Sequence, residues 1–235
     1  LVNRIDIGHY PVNIVDVGCG PGNSSQVLLR RWPDSNLVGI DNSPAMIEKA
    51  KKDYPAREWL LVDAVDFQTD IRFDIVFSNA AIQWMPDHRG LLKKFYGLLS
   101  RHGAMAVQLP KFQDMALGGI LQSVSGRDRW KNRTEGCSGL FTYHDYHYYY
   151  DLLSDTMRSV DMWETDYIHV MPSHASIVDW IKSTGMKPYL DRIGDENDKK
   201  DFEREVLKEI TGTYPRQKNG NVLFPFKRLF FIGYR

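Results

Sequence analysis

Apolar positions in the first half of the chain alternate between two periods. Residues 12–17 (VNIVDV) form a β-branched run that ends in glycines, and residues 24–31 carry apolar positions at helical spacing. That pattern predicts a strand, a tight turn and a helix. It repeats as a strand at 37–41 (LVGID), a helix at 44–53 with Ser43 as N-cap and Pro44 at its first position, and a strand near 59–63. A strand at 73–78 (FDIVFS), a helix over about 88–100 and a strand at 104–109 (AMAVQL) follow. Five strands separated by helical segments require crossover connections, so the expected fold is α/β with a doubly wound, mainly parallel sheet.

Beyond Pro110 the period changes. Residues 111–155 are polar and aromatic, with apolar spacing that suits irregular helices; 160–170 reads as extended, 174–184 as a helix stopped by Gly185, and 195–212 as a charged helix. The closing VLFPFKRLFFIGY has little charge and many aromatic residues, the signature of a buried strand returning to the sheet. The expected organisation is a ligand-binding core at 1–110, a mostly helical covering insertion at 111–219 with one sheet strand near 160–170, and a terminal strand at 220–235.

Composition narrows the function. Thirty Lys and Arg balance thirty Asp and Glu, so the global basic charge of a nucleic-acid or polybasic membrane binder is missing and a small-molecule partner is expected. No protein partner is evident. Cys19 and Cys137 lie in no metal-ligand spacing, which predicts a reducing, cytoplasmic setting and no structural metal. The sequence has no run of 18 apolar residues and no signal-peptide pattern at its start.

The chemistry starts at IVDVGCGPG, residues 14–22, where three glycines follow the first strand and let a ligand approach the backbone. Gly18, Gly20 and Gly22 have the spacing G-x-G-x-G, one residue tighter than the dinucleotide fingerprint, and no Lys-Ser/Thr pair completes a phosphate loop. A nicotinamide oxidoreductase is therefore disfavoured. Asp41 ends the second strand 19 residues after Gly22, within the window from which a carboxylate accepts from both hydroxyls of a ribose. Asp63 ends the third strand and is placed to accept from an adenine amino group.

Taken in order, DVGCGPG, GID, VDA and FDIVFSNAAIQW resemble the successive cofactor motifs of the class I S-adenosylmethionine-dependent methyltransferases. The likeness extends along nearly the whole chain to the trans-aconitate methyltransferases, through NAAIQWMPDH, YYDLLS, WETDYIHV, DWIKSTGMKPYLDRI and FPFKRLFFIGYR. It implies a Rossmann-like core that binds S-adenosyl-L-methionine and releases S-adenosyl-L-homocysteine. By that resemblance Gly18, Cys19, Gly20, Asn23 and the adjoining backbone hold the methionine part, with Asp16 orienting the loop and the ammonium group. Asp41 and Asn42 take the ribose, Met46 packs on adenine, Asp63 and Ala64 read its edge, and Asn79, Ala80 and Trp84 line the sulfonium. Two departures stand out. LLSRHGA at 98–104 replaces the family's LLKPGG turn, and the chain starts at Leu1, later than the aromatic and Arg-containing segment that in the family precedes the first strand.

The resemblance implies methyl transfer to a carboxylate of a small di- or tricarboxylic acid, most nearly trans-aconitate. Such a nucleophile is already ionised at neutral pH, so proximity and orientation suffice and no catalytic acid, base or metal is expected. Cationic and phenolic groups would hold the remaining carboxylates. The candidates are Trp84, Tyr143, Trp180, Tyr214, Arg216 and Arg228, with Arg127, Arg129 and Arg133 around Trp130, Lys218, and the aromatic run 141–150 containing His144 and His147. Methylation of an amine, phenol or carbon, or cofactor binding without turnover, are the alternatives.

Overall fold

A computed structural model describes residues 1–235. β1 (Asn13–Val17), α1 (Asn23–Arg31), β2 (Asn36–Asp41), α2 (Pro44–Asp53), β3 (Glu58–Leu61) and β4 (Phe73–Asn79) come in the expected order. α3 (His88–Leu98) then leads into β5 (Leu99–Pro110). The second half supplies α4 (Ala116–Ser125), α5 (Tyr146–Ser154), β6 (Ser159–Met171), α6 (His174–Lys182), α7 (Lys187–Ile193), α8 (Glu196–Thr213) and β7 (Val222–Tyr234).

The seven strands form one sheet in the order β3-β2-β1-β4-β5-β7-β6. β1 pairs in parallel with β2 and β4, β2 with β3, and β4 with β5, which is the doubly wound core that the alternating pattern predicts. Burial on both faces explains why the central strands are runs of Ile, Val and Phe: Ile14, Val15, Val17, Ile75 and Val76 have no exposed surface. β7 is antiparallel to β5, because the Arg235 amide donates to Gly103 at the start of β5 while Lys111, just past its end, donates to Lys227.

The chain divides into two compact units, one of Leu1–Leu109, His144–Glu164 and Leu229–Arg235, the other of Pro110–Tyr143 and Thr165–Arg228. The division differs from the expected 1–110, 111–219 and 220–235: residues 144–164 belong with the sheet. Aromatic contacts are the reason. Tyr149 of α5 stacks on Phe231 at 5.2 Å, and Trp163 of β6 lies parallel to Phe230 at 5.0 Å. The second unit has its own core, in which Leu117 and Val124 of α4, Ile177 of α6 and Phe202, Val206 and Ile210 of α8 are fully buried with Trp130 and Phe224.

Three local expectations are corrected. β5 starts at Leu99, directly after α3, so residues 99–104 of LLSRHGA are extended strand rather than a turn; the pairing with β4 shifts register between Phe73 and Ile75, and a Cβ on Gly103 would sit 2.9 Å from the Phe73 carbonyl. α6 ends at Lys182 with Ser183 as its cap, so Gly185 stops nothing. It is glycine because the Phe112 ring fills its side-chain space, 2.3 Å from where a Cβ would stand. β3 ends at Leu61, which leaves Asp63 in the following loop. Ser43 does occupy the N-cap of α2 with Pro44 behind it, although its hydroxyl caps no amide.

Candidate active site

Parallel pairing brings the carboxyl ends of β3, β2, β1 and β4 to one edge of the sheet. The chain leaves β1 toward β2 and β3 on one side and returns to β4 on the other, so the β1/β4 boundary is the switch point at which open α/β sheets form ligand crevices. Three contacts link these ends. The Gly20 amide donates to Asp41 Oδ2 at 2.9 Å, Asn42 Nδ2 donates to Asp63 Oδ2 at 2.9 Å, and Gly18 lies against Ala81 so closely that a Cβ would fall 2.2 Å from the Ala81 Cβ.

The turn after β1 needs its glycines for different reasons. Gly18, Gly20 and Gly22 have φ of +70°, +55° and +88°, a region that costs other L-residues about 1–2 kcal/mol. Gly18 and Gly22 also face neighbours, Ala81 for one and the Trp59 and Tyr54 rings for the other, whereas nothing lies within 4 Å of a Cβ on Gly20. The amides of Gly18 and Cys19 donate to Ile40 O at 2.8 and 3.0 Å. Cys19 turns its thiol into the cluster of Ile47, Ala50 and Trp59, where burial pushes its pKa up, so only its backbone belongs to the turn.

Asp16 is fully buried beneath this turn. Its Oδ2 accepts from Ser24 Oγ at 2.7 Å and Ser25 Oγ at 2.6 Å, while Oδ1 is buried with no protein partner. Desolvation pushes its pKa up to about 6, against the two hydroxyl bonds that favour the charge. A buried carboxylate oxygen without a donor is costly, and a bound cation would satisfy it. Asp41 Oδ1 accepts from the Ser43 amide at 2.8 Å, so each of its oxygens holds one backbone donor and keeps a lone pair for a ligand.

At the far side of the switch, Asn79 ends β4 exposed, and Ala80 is the non-glycine residue at positive φ, +54°. The strained turn is braced by Gln83 Nε2 donating to Ala80 O at 2.7 Å and by the Ala80 amide donating to Gln108 O at 2.9 Å. Strain held by several bonds is typical of positions that a ligand uses. Trp84 follows, 44% exposed, and Met46 is 42% exposed on the first turn of α2, so both offer apolar surface. Asn23 opens α1, and Ala64 is buried beside Asp63.

Of the residues expected to hold substrate, Trp84 lies in the sheet unit; Tyr143, Trp180, Tyr214, Arg216 and Arg228 lie in the second. Arg228 stacks over Phe226 at 4.8 Å and Tyr167 at 5.5 Å, and burial lowers its pKa. Trp180 meets Phe226 at 5.0 Å and His169 at 4.8 Å. The Tyr143 hydroxyl is buried without a partner, and its pKa rises through desolvation. Tyr214 is core, edge-on to Phe224 at 5.5 Å, and Arg216 is exposed and closes its own hairpin by donating to Gly220 O at 3.0 Å.

The arginines near Trp130 are likewise committed to structure. Arg127 pairs with Glu205 and Glu209, Arg129 with Asp198 and Asp201, and Arg133 with Asp198, all on α8. His88, which no sequence motif singles out, and Tyr149, one of the aromatic run 141–150, are buried and hydrogen-bonded at 2.6 Å. His88 is only the closing residue of NAAIQWMPDH, and Tyr149 could not be separated from its neighbours in a run of tyrosines.

Comparison with known proteins decides the family. A methyltransferase domain family matches residues 14–103. The trans-aconitate 2-methyltransferase of Enterobacter sp. (strain 638) is 38% identical over 95% of this chain and 86% of its own. The chain belongs to the trans-aconitate 2-methyltransferase family. It is an S-adenosylmethionine-dependent methyltransferase with the α/β fold of that class. Among solved structures, the YcgJ protein of Bacillus subtilis superposes with a TM-score of 0.62 at 15% identity, covering 97% of this chain and 93% of that one. A plantazolicin methyltransferase in complex with S-adenosylhomocysteine gives 0.54 at 16% identity, over 96% and 77%. No helix of this methyltransferase is long and apolar enough to cross a membrane.

The site residues suit the cofactor of this family. The open space at Gly20 leaves room for it, Asp16 Oδ1 offers a buried acceptor to a cationic amine, and the Asp41 carboxylate retains acceptor capacity for hydroxyls.

Proposed function

We propose that this methyltransferase esterifies one carboxylate of trans-aconitate, or of a closely related di- or tricarboxylate, giving a monomethyl ester and S-adenosylhomocysteine. One observation carries the assignment. The 38% identity to a trans-aconitate 2-methyltransferase spans 226 residues, and so extends through the second unit, well past the 14–103 domain match that many methyltransferases share.

The bound cofactor supplies an electrophilic methyl group on a sulfonium. Asp16 holds its ammonium, Asp41 and Asn42 its ribose, Met46, Asp63 and Ala64 its adenine, and Gly18, Gly20 and Asn23 its methionine end. Asn79, Ala80 and Trp84 line the place of transfer. A carboxylate needs no deprotonation at neutral pH, so the chain's task is to orient the oxygen and exclude water. Arg228, with Trp180 and Tyr143, is the group in the second unit whose chemistry suits a non-reacting carboxylate, a guanidinium set among aromatic faces with a phenol in the same unit.

The test is S-adenosylhomocysteine release with trans-aconitate beside cis-aconitate, citrate, isopropylmalate and panels of amines and phenols. Turnover confined to trans-aconitate and its near relatives is the expected result. Turnover only on amines or phenols would overturn the substrate and leave the cofactor site intact.

A further inference from the structure

The His88 imidazole lies under the turn that follows β4. His88 is the first residue of α3, fully enclosed, and both its ring nitrogens are engaged. Nε2 lies 2.8 Å from the Ile82 carbonyl and Nδ1 lies 2.6 Å from the Tyr149 hydroxyl. A carbonyl only accepts, so Nε2 carries the proton; Nδ1 of the neutral ring then accepts, and the Tyr149 hydroxyl donates to it. One tautomer satisfies both bonds, and burial, which lowers the pKa of His88, favours that neutral form. Around the ring stand His144, edge-on at 5.2 Å, Tyr149 at 5.7 Å, and Asp87 at the cap of α3.

The bond reaches the site through Ile82. Its carbonyl also accepts from the Met85 amide at 2.9 Å, and it sits one residue from Ala81, which abuts Gly18, and two from the strained Ala80. Tyr149 comes from α5, far along the sequence, and is anchored on Phe231 of β7. The structure thus holds a continuous path from β7 through Tyr149 and His88 to the turn that carries Ala80 and Trp84. We propose that His88 and Tyr149 are positioning residues of the methyl transfer: the His88 bond to Ile82 sets the Ala80–Trp84 turn against the Gly18 turn, and Tyr149 fixes the tautomer that makes this bond. The inference rests on assigning that turn to the place of transfer.

His88→Gln, His88→Asn and Tyr149→Phe separate this role from simple packing. Gln can put an amide N–H where Nε2–H stands and keep the Ile82 bond, whereas Asn reaches only toward Tyr149. His88→Asn is expected to lose about tenfold in kcat with trans-aconitate and to bind S-adenosylhomocysteine about fivefold more weakly by calorimetry. His88→Gln should recover both to within about threefold, and Tyr149→Phe should fall between them. A packing role alone would lower the thermal midpoint of all three while kcat per folded enzyme and cofactor affinity stay within about twofold of wild type. That result, or equal losses in the Gln and Asn variants, overturns the inference. If wild type leaves trans-aconitate unmethylated, the substrate assignment fails on its own, and the order of S-adenosylhomocysteine affinities still decides the role of His88. Should His88→Asn fail to fold, Tyr149→Phe against wild type carries the same readouts.

Discussion

The carboxylates near the strand ends of the sheet unit and the arginines of the second unit are satisfied in different ways. In the sheet unit, carboxylates serve backbone and hydroxyl donors: Asp41 holds the Gly20 and Ser43 amides, Asp63 the Val65 amide, and Asp16 two serines. In the second unit, arginines serve carboxylates on α8 or stack on aromatic rings. The first arrangement is local. It follows from residues next to strand ends, so a short motif encodes it, and it suits a cofactor whose shape never changes. The second is assembled from residues distant in sequence, such as Arg127 with Glu205, 78 positions apart, and Arg129 with Asp198, 69 apart.

Substitutions can break this contrast, starting with the glycine turn. Gly18→Ala combines positive φ with a Cβ 2.2 Å from Ala81, and should lower unfolding free energy in urea by about 3 kcal/mol. Asp16→Asn keeps the volume and removes the charge, and should weaken S-adenosylhomocysteine binding by about 30-fold.

The same residue sets a pH dependence of known sign. Its carboxyl pKa is raised from 3.8 to about 6, so its contribution to folding stability is present below its unfolded pKa and lost as pH rises through about 6. With the ammonium on Asp16 as proposed, cofactor affinity should run the other way, rising as pH is taken up through about 6, because that contact needs the ionised carboxylate. Calorimetric titrations across that range should show the rise in wild type and its absence in Asp16→Asn.

Gly20→Ala tests the other face of the turn. With open space around its Cβ it should cost about 1 kcal/mol of stability while weakening cofactor binding about tenfold, the reverse weighting of Gly18→Ala. In the second unit, Arg228→Met should raise KM for trans-aconitate about tenfold and leave S-adenosylhomocysteine affinity within about twofold. Arg216→Ala should change kcat/KM least, by less than about twofold, since its guanidinium only closes an exposed hairpin.

Much of the core was legible because its signals are local. The switch of period between strand and helix places β1 to β5, and G-x-G-x-G, Asp41 at the end of β2 and Asp63 just past β3 mark the candidate cofactor site. LLSRHGA misled because Arg, His and Gly look like a turn, while in the sheet a shifted register and close backbone approach at Gly103 hold them extended. Gly185 misled in a similar way: a glycine after a helical run looks like a cap when the aromatic ring that excludes its side chain comes from residue 112.

The cofactor class came through the resemblance to a known family; the sequence by itself determined the order of elements and the residues that close or follow the first four strands. These depend on hydrophobic period, glycine stereochemistry and short spacings, all contained within a few tens of residues. Only the tertiary structure decided that residues 144–164 join the sheet unit, that Arg127, Arg129 and Arg133 are bound to α8, and that His88 meets Tyr149 across 61 positions. A charge or ring can be satisfied by many partners, and which one it finds depends on where the packing of distant elements brings the chain, which no local pattern records.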